Sequence, residues 1–265
     1  MTAPVTPSPA ATLALVRDRS GGGIETLLVQ RNSKSRFAGG DHVFPGGKVE
    51  ADDMPADAER FCRGLTAAAA AARLGGGLSP REALGSFVGA IREAFEEVGM
   101  LLACEAEGRF VSFTPENQGR YDIHRAACQE DNTAFFDMLR AESLVLATDR
   151  LAYFAHWITP EESPTRFDTR FFAAAAPPGQ VATADGKEIV GTRWLTPDEA
   201  FAALQRTEIS LRFPTIKNLQ LLTGAATSAD LVQALGQRPV PTIRPRVLTI
   251  DGKPQPVIPP DPRWY

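Results

Sequence analysis

Residues 92–100, Arg92-Glu93-Ala94-Phe95-Glu96-Glu97-Val98-Gly99-Met100, put three carboxylates at i, i+3 and i+4. In a helix that spacing stacks Glu93, Glu96 and Glu97 on roughly one face. Like charges so placed repel by about 0.2–0.5 kcal/mol per pair, and a chain that keeps all three needs something to offset the repulsion. A hard divalent cation bound through carboxylate oxygens does this. The plain alternative is a solvated helix face. What weighs against it lies upstream, in Phe44-Pro45-Gly46-Gly47.

The carboxylates need a helix, and the sequence supplies its start. Ser79-Pro80-Arg81-Glu82 combines an N-cap serine, a first-turn proline and a glutamate three residues after the cap. Leu84, Phe87, Val88, Ile91, Phe95, Val98 and Leu102 then recur at helical spacing and mark the inward face. The glutamates fall largely off that face and are expected to point to a cleft or to water. Residues 12–17 and 25–31, separated by Ser20-Gly21-Gly22-Gly23, predict a hairpin. Residues 37–47 predict a loop with a short strand near 42–44, and residues 55–74 a helix ended by Gly75-Gly76-Gly77. Helical segments are expected in 114–142, with Asn132 as a cap, and strands at 151–158, 169–176 and 189–195. Thr196-Pro197-Asp198-Glu199 starts a further helix, 213–222 and 229–235 read as helical, and 247–258 as a closing hairpin. Strands mixed with helices give an α/β or α+β domain.

The chain has 265 residues, 43% hydrophobic and 23% charged, with a net charge of -4. This is ordinary globular composition with room for a sizeable core. No basic footprint invites nucleic acid, and no apolar run approaches the ~18 residues of a membrane span. Cys62, Cys104 and Cys128 form no C-x-x-C pair or zinc pattern, so reduced thiols are expected. The N-terminus has no signal-peptide pattern and 261–265 no recognisable address, so a cytoplasmic location is expected. His42, His124 and His156 show no mutual spacing that suggests a metal site or triad.

Gly46-Gly47, an acidic residue, and then Arg92 to Met100 together resemble the Nudix box of the Nudix hydrolases. That pattern is a Gly, five residues, a Glu, seven residues, then R-E-aliphatic-x-E-E-x-G-aliphatic. Gly47 is followed after five residues by Asp53, or the Glu is replaced by Asp52. Residues 54–91 separate Asp53 from Arg92, 38 residues where the pattern has seven. An insertion of this kind costs little loop entropy, but it leaves the role of Asp53 open. Leu27-Leu28-Val29-Gln30-Arg31, Arg36, Gly40 and Phe44-Pro45-Gly46-Gly47 are similar to the signature of the coenzyme A diphosphatase branch. Val29 and Asn32 depart from it. Trp157-Ile158-Thr159-Pro160, the stretch from Arg166 to Phe172, Glu188-Ile189-Val190-Gly191 and Trp194-Leu195 resemble members of that branch with a split box.

The resemblance implies a Nudix fold: an α/β/α sandwich on a mixed sheet, with a helical insertion inside the box. It implies a flexible segment 1–10, one domain over 11–258 with the insertion at 54–78, and a tail at 259–265. It implies Mg²⁺ or Mn²⁺ held by Glu93, Glu96, Glu97 and the Gly47 carbonyl, with Arg92 orienting the glutamates. Glu93 or Glu188 would serve as base, though Glu188 reads equally well as a hairpin-turn carboxylate beside Asp185-Gly186. Arg31 and Arg36 would clamp substrate phosphates, or sit at strand ends as solvated charges. The implied reaction is hydrolysis of a pyrophosphate in coenzyme A or acyl-CoA; ADP-ribose or NADH, or a non-catalytic nucleotide sensor, are the alternatives. The implied partner is a small CoA-like nucleotide, with no nucleic acid and no membrane; a homodimer stays open.

Overall fold

The computed structural model describes residues 5–35, 37–250 and 252–258. The strands are β1 (Ser8–Asp18), β2 (Ile24–Arg31), β3 (His42–Val43), β4 (Gly46–Lys48), β5 (Ala103–Cys104), β6 (Val145–Leu146), β7 (Ala152–Ile158), β8 (Phe167–Ala175), β9 (Ile189–Leu195), β10 (Thr242–Ile243), β11 (Arg246–Ile250) and β12 (Lys253–Val257). The helices are α1 (Ala67–Leu74), α2 (Pro80–Val98), α3 (Gln118–Glu130), α4 (Thr133–Ala141), α5 (Pro197–Gln205), α6 (Phe213–Leu221) and α7 (Ser228–Gly236).

The sheet runs β10-β7-β8-β1-β2-β3, with β4 beside β1 and β9 beside β2. It is mixed: β1 lies parallel to β8 and antiparallel to β2 and β4. Side chains alternate faces along each strand. Leu13, Leu15, Leu27, Val29 and Phe172 therefore join a core with Phe87, Ile91 and Phe95 of α2. Ala14, Val16, Leu28, Phe171 and Ala173 join a second core with Leu219 and Leu222 near α6, and with Leu231 and Leu235 of α7. The molecule is thus the expected α/β/α sandwich.

One feature of the sheet creates a mouth. β1 and β2 pair only at Val16↔Thr26 to Asp18↔Ile24 and then diverge. Residues 42–48 fill the fork, β3 pairing with β2 at Val29↔Val43 and β4 pairing with β1 at Thr12↔Gly46. Gly46-Gly47 is held there by strand pairing on one side and faces α2 on the other.

Three expectations are corrected. β1 begins at Ser8, inside the segment expected to be flexible, because Ser8 pairs with Phe167. Residues 55–74 are not one helix. A 3-10 turn spans Ala58–Phe61 and α1 starts only at Ala67, capped by Thr66. Gly64, with φ of 63°, breaks the path, and a Cβ there would lie 2.8 Å from Asp149 Cβ. Asn132 makes no side-chain cap on α4; Asp131 Oδ1 accepts from the Thr133 amide instead.

Candidate active site

α2 is built as expected. Ser79 and Glu82 form a reciprocal capping box, and Gly99 closes the helix in the left-handed conformation, φ 70°. Its apolar stripe is buried in the first core, but the glutamates are not left in water. Glu97 is 4% exposed, and the Glu93 and Glu96 side chains are 14% and 13% exposed. They look onto the sheet fork, which is enclosed by other protein groups.

Arg92 organises them. Its Nε donates to Asp53 Oδ1 at 2.7 Å and its Nη2 to Asp53 Oδ2 at 3.0 Å, a bidentate pair. Nη1 donates to Glu93 at 3.1 Å and to Glu96 at 2.9 Å, and Nη2 also reaches the Lys48 carbonyl at 2.9 Å. Burial opposes the charge of Arg92, but the Asp53 hydrogen bond and the charges of Glu93, Asp53 and Glu96 raise its pKa. Asp53, left open by the sequence, is thus the buried counterion that joins the two halves of the split box in space. It sits in a short turn, Ala51–Asp53, against α2. Gly85 and Gly89 make room for that turn: a Cβ at Gly89 would lie 2.9 Å from Asp53 Oδ2, and one at Gly85 would run into Met54. Two glycines one helical turn apart were the sequence signal for this docking.

Gly46 and Gly47 face the helix for different reasons. Gly46, at φ 153°, sits where a Cβ would come 2.5 Å from the Ala11 carbonyl oxygen, and its amide donates to Glu97 Oε2 at 2.9 Å. Gly47 lies close against Glu93: a Cβ there would come within 2.5 Å of Glu93 Oε1. Arg31, at the end of β2, donates to Glu188 and lies 3.8 Å from Glu97 Oε1. The loop carrying Glu188 is stitched to the end of α2. Thr183 N donates to Val98 O at 2.9 Å and Asp185 N to Glu97 O at 3.1 Å. Asp185 then folds the turn by accepting from the Lys187 and Ile189 amides. Asp185 is therefore a turn-former, whereas Glu188 faces the cleft. Arg125 and Gln129 of α3 both donate to the Glu96 carbonyl, a fixation that sequence spacing did not signal. The structure thus gathers Arg31, Gly47, Arg92, Glu93, Glu96, Glu97 and Glu188. Arg36 lies outside the described residues.

The charges do not balance. Among the described residues, Asp53, Glu93, Glu96, Glu97 and Glu188 form their short-range ion pairs with Arg31 and Arg92. Burial, with Glu96 and Asp53 nearby and Arg92 opposing, pushes Glu93 up to about 7. Burial likewise pushes Glu96 up to about 7, against the pull of Arg92. Burial and the Glu93 charge hold Glu97 well above the carboxylate range. Glu96 Oε1 is buried with no hydrogen-bond partner. An excess of hard oxygen donors, one of them orphaned, fits a divalent cation. Among the described residues no three His, Cys, Asp or Glu side chains already converge as a finished cage; the glutamates are instead drawn toward Arg92, Arg31 and the Gly46 amide.

The fork opens into a cleft of about 570 Å³, lined at one end by Arg31, Gly47, Lys48, Glu93 and Glu188. The histidines stand outside this set: His156 pairs with Asp168 at 2.5 Å and His124 with Glu142 at 3.0 Å. All three cysteines are free thiols. No helix among the described residues is long and apolar enough to cross a membrane.

A forked mixed sheet between helical layers, with a Gly-Gly strand facing an R-E-x-x-E-E helix, defines the Nudix class. The chain belongs to the NUDT19 Nudix domain family, whose model matches residues 80–222. It is 28% identical over 235 residues to the acyl-coenzyme A diphosphatase NUDT19 of Xenopus laevis, covering 78% of this chain and 62% of that protein. It is 30% identical over 238 residues to the Gallus gallus protein of the same name, covering 78% and 63%. The chain therefore spans less than two thirds of the length of these curated relatives. A solved Nudix hydrolase from Alicyclobacillus acidocaldarius matches with a TM-score of 0.69 at 26% identity, covering 89% of this chain and 99% of that one.

Proposed function

We propose that this chain hydrolyses the pyrophosphate bond of coenzyme A or an acyl-CoA, giving 3′,5′-ADP and 4′-phosphopantetheine or its acyl form. The observation that carries the reading is the reassembly of Asp53, Arg92 and the three glutamates opposite Gly46-Gly47, at the head of a cleft. The relatives' name supplies the substrate class.

In this reading Glu96, Glu97 and the Gly47 carbonyl would hold Mg²⁺ or Mn²⁺, with Glu93 as a further oxygen donor. A bound cation supplies charge neutralisation on the pyrophosphate and a lowered pKa for water. The chain's own residues do the positioning. Arg92, fixed by Asp53, keeps Glu93 and Glu96 aimed. Glu93 lines the cleft where it would accept the proton of the attacking water, with Glu188 as the second carboxylate in reach. Arg31, positioned by Glu188 and Glu97, would bind the phosphates through its guanidinium. Water's oxygen bonds to one phosphorus, the bond from that phosphorus to the bridging oxygen breaks, and the other phosphate leaves with the bridging oxygen.

The test is a panel of coenzyme A, acyl-CoA, ADP-ribose and NADH with Mg²⁺ or Mn²⁺, read by mass spectrometry of the products. Release of 3′,5′-ADP with the highest kcat/KM on the coenzyme A compounds is expected. An intact coenzyme A pool, or a preference for ADP-ribose, rejects the assignment.

A further inference from the structure

Beyond the charged end of the cleft, the floor is the sheet itself. Lys48 of β4, Ala10 of β1, Thr169 of β8 and Trp157 of β7 are register partners in one row across four adjacent strands. All four line the cleft. The next row, Gly46-Thr12-Phe171, lines it too. Three interstrand steps of about 4.8 Å carry the row roughly 14 Å from the Gly-Gly strand to Trp157.

Chemistry changes along this row. Lys48, Glu93, Arg31 and Glu188 crowd the first end, whereas from Ala10 to Trp157 the floor carries no charge. Trp157 offers a nucleobase edge no free donor, because its Nε1 is already given to Asn218 at 3.0 Å. Phe213 stands edge-on to Trp157, centroids 6.0 Å apart, and closes the wall. Pro245 and Pro256, from the C-terminal segment, form the roof. Proline has no amide hydrogen to donate, so the far end is mostly carbon; its polar side chains are Thr159, Ser163, Thr169 and Thr215, with Arg212 beside Phe213 paired to Asp41.

We propose that this slot takes the uncharged arm of the substrate, the pantetheine chain and the acyl group on its sulfur. Thr169, Trp157 and the Pro245/Pro256 roof then set the preference for acylated over free coenzyme A. The proposal rests on the coenzyme A reading above. The phosphates are held at the charged end, so the arm that leaves them crosses the sheet along the row. An acyl chain gains by burying carbon against carbon there, and a charged or base-like group would lose its water without replacement partners.

Two substitutions test it in the full chain. Thr169→Trp fills the floor. Pro256→Asp puts a charge on an exposed roof position, outside both cores, so a folding failure of the first variant leaves the second informative. The ratio of kcat/KM for lauroyl-CoA to that for coenzyme A is the readout. A fall in this ratio of about tenfold or more is expected, the scale on which lost apolar pocket contacts discriminate. Wild-type protein that cleaves coenzyme A, with the ratio unchanged in both variants, overturns the slot assignment alone. Wild-type protein that leaves coenzyme A intact overturns the substrate reading and the slot together.

Discussion

Arg92 is 2% exposed and yet charged, because Asp53, Glu93, Glu96 and a backbone carbonyl meet its five N–H groups. Removing one partner of such a pair leaves an uncompensated buried charge. Arg92→Ala should therefore lower unfolding free energy by about 3–5 kcal/mol in urea titration, where a surface arginine would change it little. Glu97 presents the opposite case. Burial makes its charge costly, so Glu97→Gln, close in shape, should keep or slightly raise Tm while abolishing release of 3′,5′-ADP. Undiminished turnover would remove Glu97 from the cation ligands. At this scale spacing alone gathered the glutamates on one face but left a solvated helix open; it took the upstream Phe44-Pro45-Gly46-Gly47 to weigh against that. Asp53 was not legible, because 38 intervening residues erase any relation between sequence distance and contact.

For α2, glycine has two meanings that propensity tables merge. Gly89→Ala should gain helix propensity yet push Cβ onto Asp53 Oδ2, 2.9 Å away. Activity and Tm should both fall. Gly119, in α3, meets nothing within 4 Å. There the same change should stabilise by about 0.4–1 kcal/mol, and thermal melts of the two variants side by side check the contrast. The elements with strong periodicity or caps, α2, α5 and the β1–β2 hairpin, were legible from sequence. Residues 55–66 were misread as helix because the apolar pattern carried the reading past Gly64, whose φ of 63° alanine would resist and where a Cβ would lie 2.8 Å from Asp149 Cβ. The stitching of residues 183–185 to the end of α2 was equally hidden, since it uses backbone amides that carry no side-chain signature.

The whole molecule carries its site as a stability cost. Glu93 and Glu96 ionise near 7 in the folded chain and near 4.5 when unfolded, chiefly through burial. The folded state therefore binds more protons between these values, and stability contributed by the two groups is lost as pH rises through about 7. In chelator, Tm should fall from pH 5 to pH 8. Added Mg²⁺ or Mn²⁺ should restore it most at the alkaline end, where the carboxylates are free to ligate. A chelated Tm that stays flat or rises over this range contradicts the burial of the cluster. Which distant segments met at the fork was beyond local reading: Arg31 and Glu188 are 157 residues apart. Strand order, not periodicity, brings them together.

The Asp53–Arg92 clasp has a consequence for the chain between them. Residues 54–91 leave and return at one point, as a cassette buttoned at its base. The clasp is side chain to side chain, so covalent continuity through the Gly75-Gly76-Gly77 turn is not what holds the button closed. A polypeptide ending at Gly76 and another beginning at Gly77 should find each other and restore hydrolysis when co-expressed. The same separation marks that turn as the place to graft a reporter without disturbing the pocket.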